Sequence, residues 1–140
     1  MILVFSMVFC QSAFAERMSI SASTANIRSG PDNKGYDILW KAEKYYPIEV
    51  LEKKGDWYFF KDFEGDKGWI HKSLVSQTPS VITKADKCNV RSEPGSGSAV
   101  EILFTLEKGV PFKVIEKKGD WIWVEHADGD KGWIHQSLVW

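Results

Sequence analysis

Much of this chain is written twice. Glu52-Lys53-Lys54-Gly55-Asp56-Trp57 returns unchanged as Glu116-Lys117-Lys118-Gly119-Asp120-Trp121, 64 residues on, and at the same offset Gly65-Asp66-Lys67-Gly68-Trp69-Ile70-His71 returns as Gly129-Asp130-Lys131-Gly132-Trp133-Ile134-His135. Each copy ends in Ser-Leu-Val, at 73–75 and 137–139. Ala25-Asn26-Ile27-Arg28-Ser29-Gly30-Pro31 matches Cys88-Asn89-Val90-Arg91-Ser92-Glu93-Pro94 at an offset of 63, so one residue was gained or lost in the loop that follows. Two copies are too few for a solenoid, whose units need neighbours to bury their faces. A unit of about 60 residues can fold alone. The repeat therefore predicts a tandem pair of similar small domains, 16–76 and 80–140.

The first fifteen residues stand outside the pair. Ile2 to Cys10 is an apolar run, followed by Ala13-x-Ala15 and then charged Glu16-Arg17. The run is far short of the roughly 20 residues that span a bilayer, and the small residues suit a signal peptidase. Residues 1–15 are expected to be a signal peptide, which leaves no stable membrane insertion after cleavage. The flaw is an n-region without Lys or Arg; a start upstream of Met1 would supply it. Bulky Phe9 before Cys10 argues against a lipoprotein. The processed chain keeps one cysteine, Cys88, so no intramolecular disulfide can form and an apolar core must carry the fold. Charge is nearly balanced, 18 basic against 19 acidic residues, and interspersed. That argues against a nucleic-acid partner or an anionic-membrane footprint, which need clustered Lys and Arg, so no nucleic acid is expected. Seven Trp must either fill two small cores or line a binding surface.

Short alternating stretches separated by Gly, Pro, Asn and Asp clusters predict strands and tight turns: Met18–Ser23, Ala25–Arg28, Ile38–Ala42, Ile48–Lys53, Trp57–Lys61 and Lys67–His71 in the first copy. Ser73-Leu74-Val75 reads as one closing turn of 3₁₀ helix. The fold class is all-β, two small barrels or sandwiches. Comparing copies orients the aromatic strand. In Trp121-Ile122-Trp123-Val124, period two places Ile122 with Val124 and Trp121 with Trp123. The aliphatic pair is the natural core face, so Trp121 and Trp123 point away from it. The first copy then has Tyr58 and Phe60 inside and Trp57 and Phe59 outside. In the next strand Ile70 and Ile134 face in; Trp69, His71, Trp133 and His135 share the opposite face.

Three motifs in order, twice over, resemble the bacterial SH3-like (SH3b) domains: Asn-Val/Ile-Arg-Ser-x-Pro, Gly-Asp-Trp before a strand, and Asp/Glu-Gly-Asp-Lys-Gly-Trp-Ile-His-x-Ser-Leu-Val. The match covers roughly 19–75 and 82–139. The resemblance implies two strongly bent SH3-like β-barrels and a bacterial envelope setting, periplasm or wall. There such domains occur in tandem beside wall-active enzymes and bind peptidoglycan stem or cross-bridge peptides. This chain departs from that company in carrying no catalytic domain.

The candidate ligand-binding residues are Trp57, Phe59 and Trp69 with Arg28, and their equivalents Trp121, Trp123 and Trp133 with Arg91. Indole and phenyl faces stack on sugar rings or on prolyl and alkyl groups, and a guanidinium anchors a carboxylate. The competing reading buries the rings between the two units or over the end of a bent sheet, and pairs each Arg with an Asp of the fold. Trp69 and Trp133 are the most structural, since the preceding Gly suits a close approach of chains. His71 and His135 lack converging partners, so no metal is expected; each orients the closing turn by a hydrogen bond. Asp128-Gly129-Asp130 is a hairpin turn and not a calcium loop, because position twelve falls on Val139. Cys88 replaces Ala25 and reads as a small core residue, not a nucleophile. No cofactor is implied. The expectation is an exported, non-catalytic binding module that recognises peptidoglycan, stem peptide or glycan. The alternative is a scaffold binding an extended peptide segment of an envelope protein.

Overall fold

A computed structural model describes residues 15–140. The expected leader, residues 1–15, lies outside the described residues except for Ala15. The rest is all-β, with no α-helix among the described residues. Seven strands form the first sheet: β1 (Glu16–Ile20), β2 (Thr24–Arg28), β3 (Ile38–Glu43), β4 (Pro47–Lys54), β5 (Trp57–Lys61), β6 (Lys67–His71) and β7 (Val75–Ser76). Six form the second: β8 (Ser80–Ile82), β9 (Cys88–Arg91), β10 (Ile102–Leu106), β11 (Pro111–Lys118), β12 (Trp121–Glu125) and β13 (Lys131–His135). The spatial orders correspond, β3-β2-β6-β5-β4-β1-β7 and β10-β9-β13-β12-β11-β8. The carboxyl terminus takes the place of β7 in the second sheet: Trp140 and Ile82 exchange backbone hydrogen bonds. No ladder joins the two ends of either sheet among the described residues.

Each sheet buries its own cluster. Met18, Ile20, Ala25, Ile27, Ala42, Ile48, Val50, Phe60 and Ile70 come from all six long strands of the first sheet and pack together. A single sheet with no second layer can bury one face that completely only by curling over it. The second cluster holds Val81, Cys88, Val90, Phe112, Ile122, Val124, Ile134 and Val139. Ile122 and Val124 face in, as period two requires, while Trp121 and Trp123 stay partly exposed on the other face. Phe60 is fully buried, but Tyr58 only half, packed at the margin of the core.

Turn chemistry sits where the sequence puts it. Gly55, Gly65, Gly119 and Gly129 all adopt positive φ in the hairpin turns, including the one at Asp128-Gly129. Asp128 Oδ1 there accepts the Asp130 N–H at 3.0 Å. A Cβ on Gly68 would collide with the Ile27 side chain, and one on Gly132 with Val90; both glycines let β6 and β13 close against β2 and β9. The closing 3₁₀ turns span Lys72–Leu74 and Gln136–Leu138.

Candidate functional site

On the face opposite the core, β2, β6 and β5 lie side by side, so residues distant in sequence meet. Arg28 is in register with Trp69, Phe59 with Trp69, and Trp57 with His71. The second sheet repeats this with Arg91 and Trp133, Trp123 and Trp133, and Trp121 and His135. The aromatic set divides in two. Phe59 and Trp69 pack with ring centroids 5.1 Å apart and planes at 38°; Trp123 and Trp133 do the same at 5.3 Å and 51°. Trp57 instead meets the edge of His71 at 5.2 Å and 89°, and Trp121 meets His135 at 5.1 Å and 87°.

The edge-on pairs wall a groove that the stacked pairs do not line. In the first unit Trp57 and His71 face Arg28, Asn26 and Thr24 of β2, with Asn33, Ser73 and Leu74 completing a cavity of ≈ 510 Å³. In the second, Trp121, His135, Arg91, Asn89, Lys87, Ser96, Ser137 and Leu138 enclose ≈ 340 Å³. Position for position these are the same residues' places, related by the offsets of the repeat. Both volumes fall in the range of small-ligand sites.

The histidine and serine of each groove hold one another. The Ser73 backbone N–H donates to His71 Nδ1 at 3.2 Å, and the Ser73 hydroxyl lies 2.7 Å from the same nitrogen. His135 makes the same contacts with Ser137, at 3.2 and 2.8 Å. These histidines cap the closing 3₁₀ turns, as the sequence suggested. An Nδ1 that accepts a backbone N–H carries no proton, so in the neutral ring Nε2 is the N–H donor left for a ligand. Neither Arg28 nor Arg91 is ion-paired among the described residues. The alternative of an internal Asp partner is therefore not what the fold adopts. Guanidinium, Nε2–H, amide and hydroxyl groups beside an indole suit a ligand with a carboxylate or carbonyls and an apolar face.

Two readings that compete with binding can be placed as well. Cys88 is fully buried in the core, and desolvation pushes its thiol above the ordinary value, which disfavours the nucleophilic thiolate. Among the described residues no three His, Cys, Asp or Glu converge on a metal position. The groove residues that sequence reasoning passed over are Thr24, Asn26, Asn33 and Ser73 with their counterparts. Asn26/Asn89 and Ser73/Ser137 were visible as repeated polar residues inside the motifs, but nothing in a linear pattern brings β2 beside the closing turn.

Comparison with known proteins agrees with this duplication. The "Bacterial SH3 domain" family matches residues 21–77 and again 84–140. Among curated proteins the chain is 24% identical over 157 aligned residues to the "Putative N-acetylmuramoyl-L-alanine amidase YrvJ" of Bacillus subtilis, covering 99% of this chain and 30% of that protein. It is 35% identical over 63 residues to the "Probable cell wall amidase LytH" of Staphylococcus epidermidis, covering 44% of this chain and 21% of that one. The chain thus spans less than a third of either relative. Solved structures with a remote likeness include NlpC1 from Trichomonas vaginalis, with TM-score 0.41 and 10% identity over 99% of this chain and 50% of that one. An NlpC/P60 family protein from Bacillus cereus has TM-score 0.42 and 14% identity over 89% of this chain and 56% of that one. Two tandem matches, one to all but the first strand of each sheet, show that the chain belongs to the bacterial SH3 domain family.

Proposed function

We propose that the chain is an exported, non-catalytic binding module of the bacterial cell envelope, cut after Ala15, whose two SH3-like barrels (16–76 and 80–140) recognise peptidoglycan. The observation that carries this reading is the groove built twice from corresponding positions, each with an indole, an unpaired guanidinium and a histidine Nε2. A peptidoglycan stem peptide offers carboxylates, amide carbonyls and small alkyl side chains, which match those groups. Relatives named as cell wall amidases support the wall as the setting. The buried, protonated Cys88 supports a non-catalytic part. Trp57, Trp121, Arg28 and Arg91 are the contact residues in this reading; the stacked pairs Phe59–Trp69 and Trp123–Trp133 lie outside the grooves and are not assigned to the ligand.

Co-sedimentation of residues 16–140, which hold every strand and both cores, with purified sacculi tests it. Retention is expected, and Trp57→Ala with Trp121→Ala should weaken it about tenfold or more. The thermal midpoint should move by no more than about 5 °C, because both rings lie outside the cores. No retention of the unmodified protein beside a positive control would refute wall binding. A single stoichiometric protein crosslinked in envelope extracts would favour the scaffold reading instead.

A further inference from the structure

The two units are not equivalent where they meet. The turn between β10 and β11 carries Lys108 and Gly109, and it leans on the first unit. Lys108 Nζ lies 3.6 Å from a Glu64 carboxylate oxygen, and Gly109 lines one cavity with Ala42 and Tyr46. That surface of the first unit has counterparts in the second: Ala42, Tyr46 and Glu64 become Leu106, Val110 and Asp128. There the three line an open cavity of ≈ 200 Å³ with Phe104, Phe112 and His126. The reason for the space is chemical. In the first unit the Tyr46 phenol occupies this position, its hydroxyl donating to buried Asp62 at 2.7 Å. The second unit has Val110 and His126 instead, so the tyrosine ring and its hydrogen bond are missing; His126 packs edge-on against Phe112 at 5.5 Å, and its Nδ1 lies 2.9 Å from Asp128 Oδ1, which leaves Oδ2 for an outside cation.

The first unit's version of the leaning turn is Lys44-Tyr45, between β3 and β4, and the seam does not use it. Tyr45 has φ 71°, the only positive φ at a non-glycine residue among those described, while Gly109 holds the same place at φ 95°. A tyrosine there costs backbone strain that glycine avoids, and such strain marks positions kept for a purpose. The Lys44 ammonium lies 5.3 Å from the Tyr45 ring, so the turn presents a cation and an aromatic side chain together. The vacant cavity is apolar within and rimmed by Asp128 and Asp130.

We propose that the Lys44-Tyr45 turn of one copy docks on the second unit of another, with the Tyr45 ring entering the Leu106–Val110 cavity and Lys44 pairing with Asp128. The contact repeats between molecules the one that Lys108-Gly109 makes within the chain, and replaces the missing Tyr46 ring by a neighbour's tyrosine. It is heterologous, joining different surfaces of the two copies, so it propagates head to tail unless a ring closes. Within the chain the linker holds the turn near its surface at high effective concentration; between molecules that help is absent. Affinity is accordingly weak, with Kd on the order of 100 μM.

Sedimentation equilibrium of residues 16–140, from about 10 μM to about 1 mM so as to bracket that Kd, tests the proposal. The weight-average mass is expected to climb with concentration beyond that of a dimer. Val110→Tyr supplies the ring in cis and should abolish association. Tyr45→Gly, which relieves the positive φ and takes the residue the second copy has at this place, should abolish it too, with a thermal melt to check that the turn's unit stays folded. Lys44→Glu should weaken it about tenfold. A protein that stays monomeric throughout overturns the proposal, and so does association that survives both Val110→Tyr and Tyr45→Gly. Sacculus retention of Val110→Tyr should equal that of the unmodified protein, so this test and that of wall binding fail independently.

Discussion

Tyr46 shows how one residue ties a turn to a core. Its hydroxyl donates to Asp62 Oδ2, while Asp62 Oδ1 accepts the Glu64 and Asp66 backbone N–H groups at 3.0 and 2.9 Å. Burial, then the bonded and neighbouring carboxylates, push the phenol far above its ordinary value of 10.0. The folded state therefore keeps a proton that the unfolded chain gives up, and stability present below pH 10 is lost as pH rises through the folded value. The Cys88 thiol, raised from 9.0 by desolvation, acts in the same direction at slightly lower pH. Tyr46→Phe should cost about 1–3 kcal/mol at pH 7, since buried Asp62 loses a donor. It should also remove most of the fall in stability above pH 10. Urea unfolding between about pH 7 and pH 11, a range set to span both ordinary values, checks this; an unchanged alkaline slope in the variant would mean the phenol is not what titrates. Trp40 offers a contrast, with Nε1 buried and no partner among the described residues, where the second copy has Phe104 and no such N–H.

At the scale of elements, the strands were legible because turn residues and period-two alternation agree in both copies. The register was not. Both long strands carry an irregularity at the same place, between Val50 and Glu52 against β5 and between Val114 and Glu116 against β12. The skipped residue is Leu51 in one copy and Ile115 in the other, and beyond it Glu52-Lys53-Lys54 and its copy are exposed on either face, so no buried side chain fixes the register there. The groove was half legible for a related reason. Trp57 and Arg28 stood out singly, but they converge only because β6 pairs with β2, a contact between strands far apart in the chain. The 3₁₀ cap links this geometry to binding. His71→Ala should cost about 1 kcal/mol by freeing the Ser73 N–H, whereas His71→Asn keeps an acceptor for it and should cost less. If Nε2 serves the ligand, His71→Asn recovers the thermal midpoint but not sacculus retention by the first groove, measured on a Trp121→Ala background. Recovery of both would reduce this histidine to a cap.

Across the whole molecule the two cores share no buried residue, so coupling rests on a thin seam made of contacts along β1 and of the Lys108-Gly109 turn. The Arg17 guanidinium sits 3.9 Å from the Trp140 ring centroid and donates to the Ser80 carbonyl at 3.2 Å. The Ser19 hydroxyl donates to Thr78 O at 2.8 Å, and Gln77 reaches Glu16 at 3.1 Å. These contacts bind both the linker and the last residue to the first strand, but they are polar and Arg17 remains solvent-exposed. A cation over a partly buried ring contributes about 1–2 kcal/mol, small beside the several kcal/mol that each core supplies to a unit of this size. The units should then melt as neighbours and not as one body: the calorimetric enthalpy should exceed the van't Hoff enthalpy, which two-state unfolding forbids. Arg17→Ala should widen the gap between the two transitions by a few degrees without altering either core. Arg17→Lys should not restore the coupling, since a lysine ammonium lacks the flat guanidinium face that stacks on the indole. A single two-state transition in the unmodified protein that persists in Arg17→Ala would place the coupling elsewhere, and the Lys108–Glu64 pair across the seam would be the next contact to break.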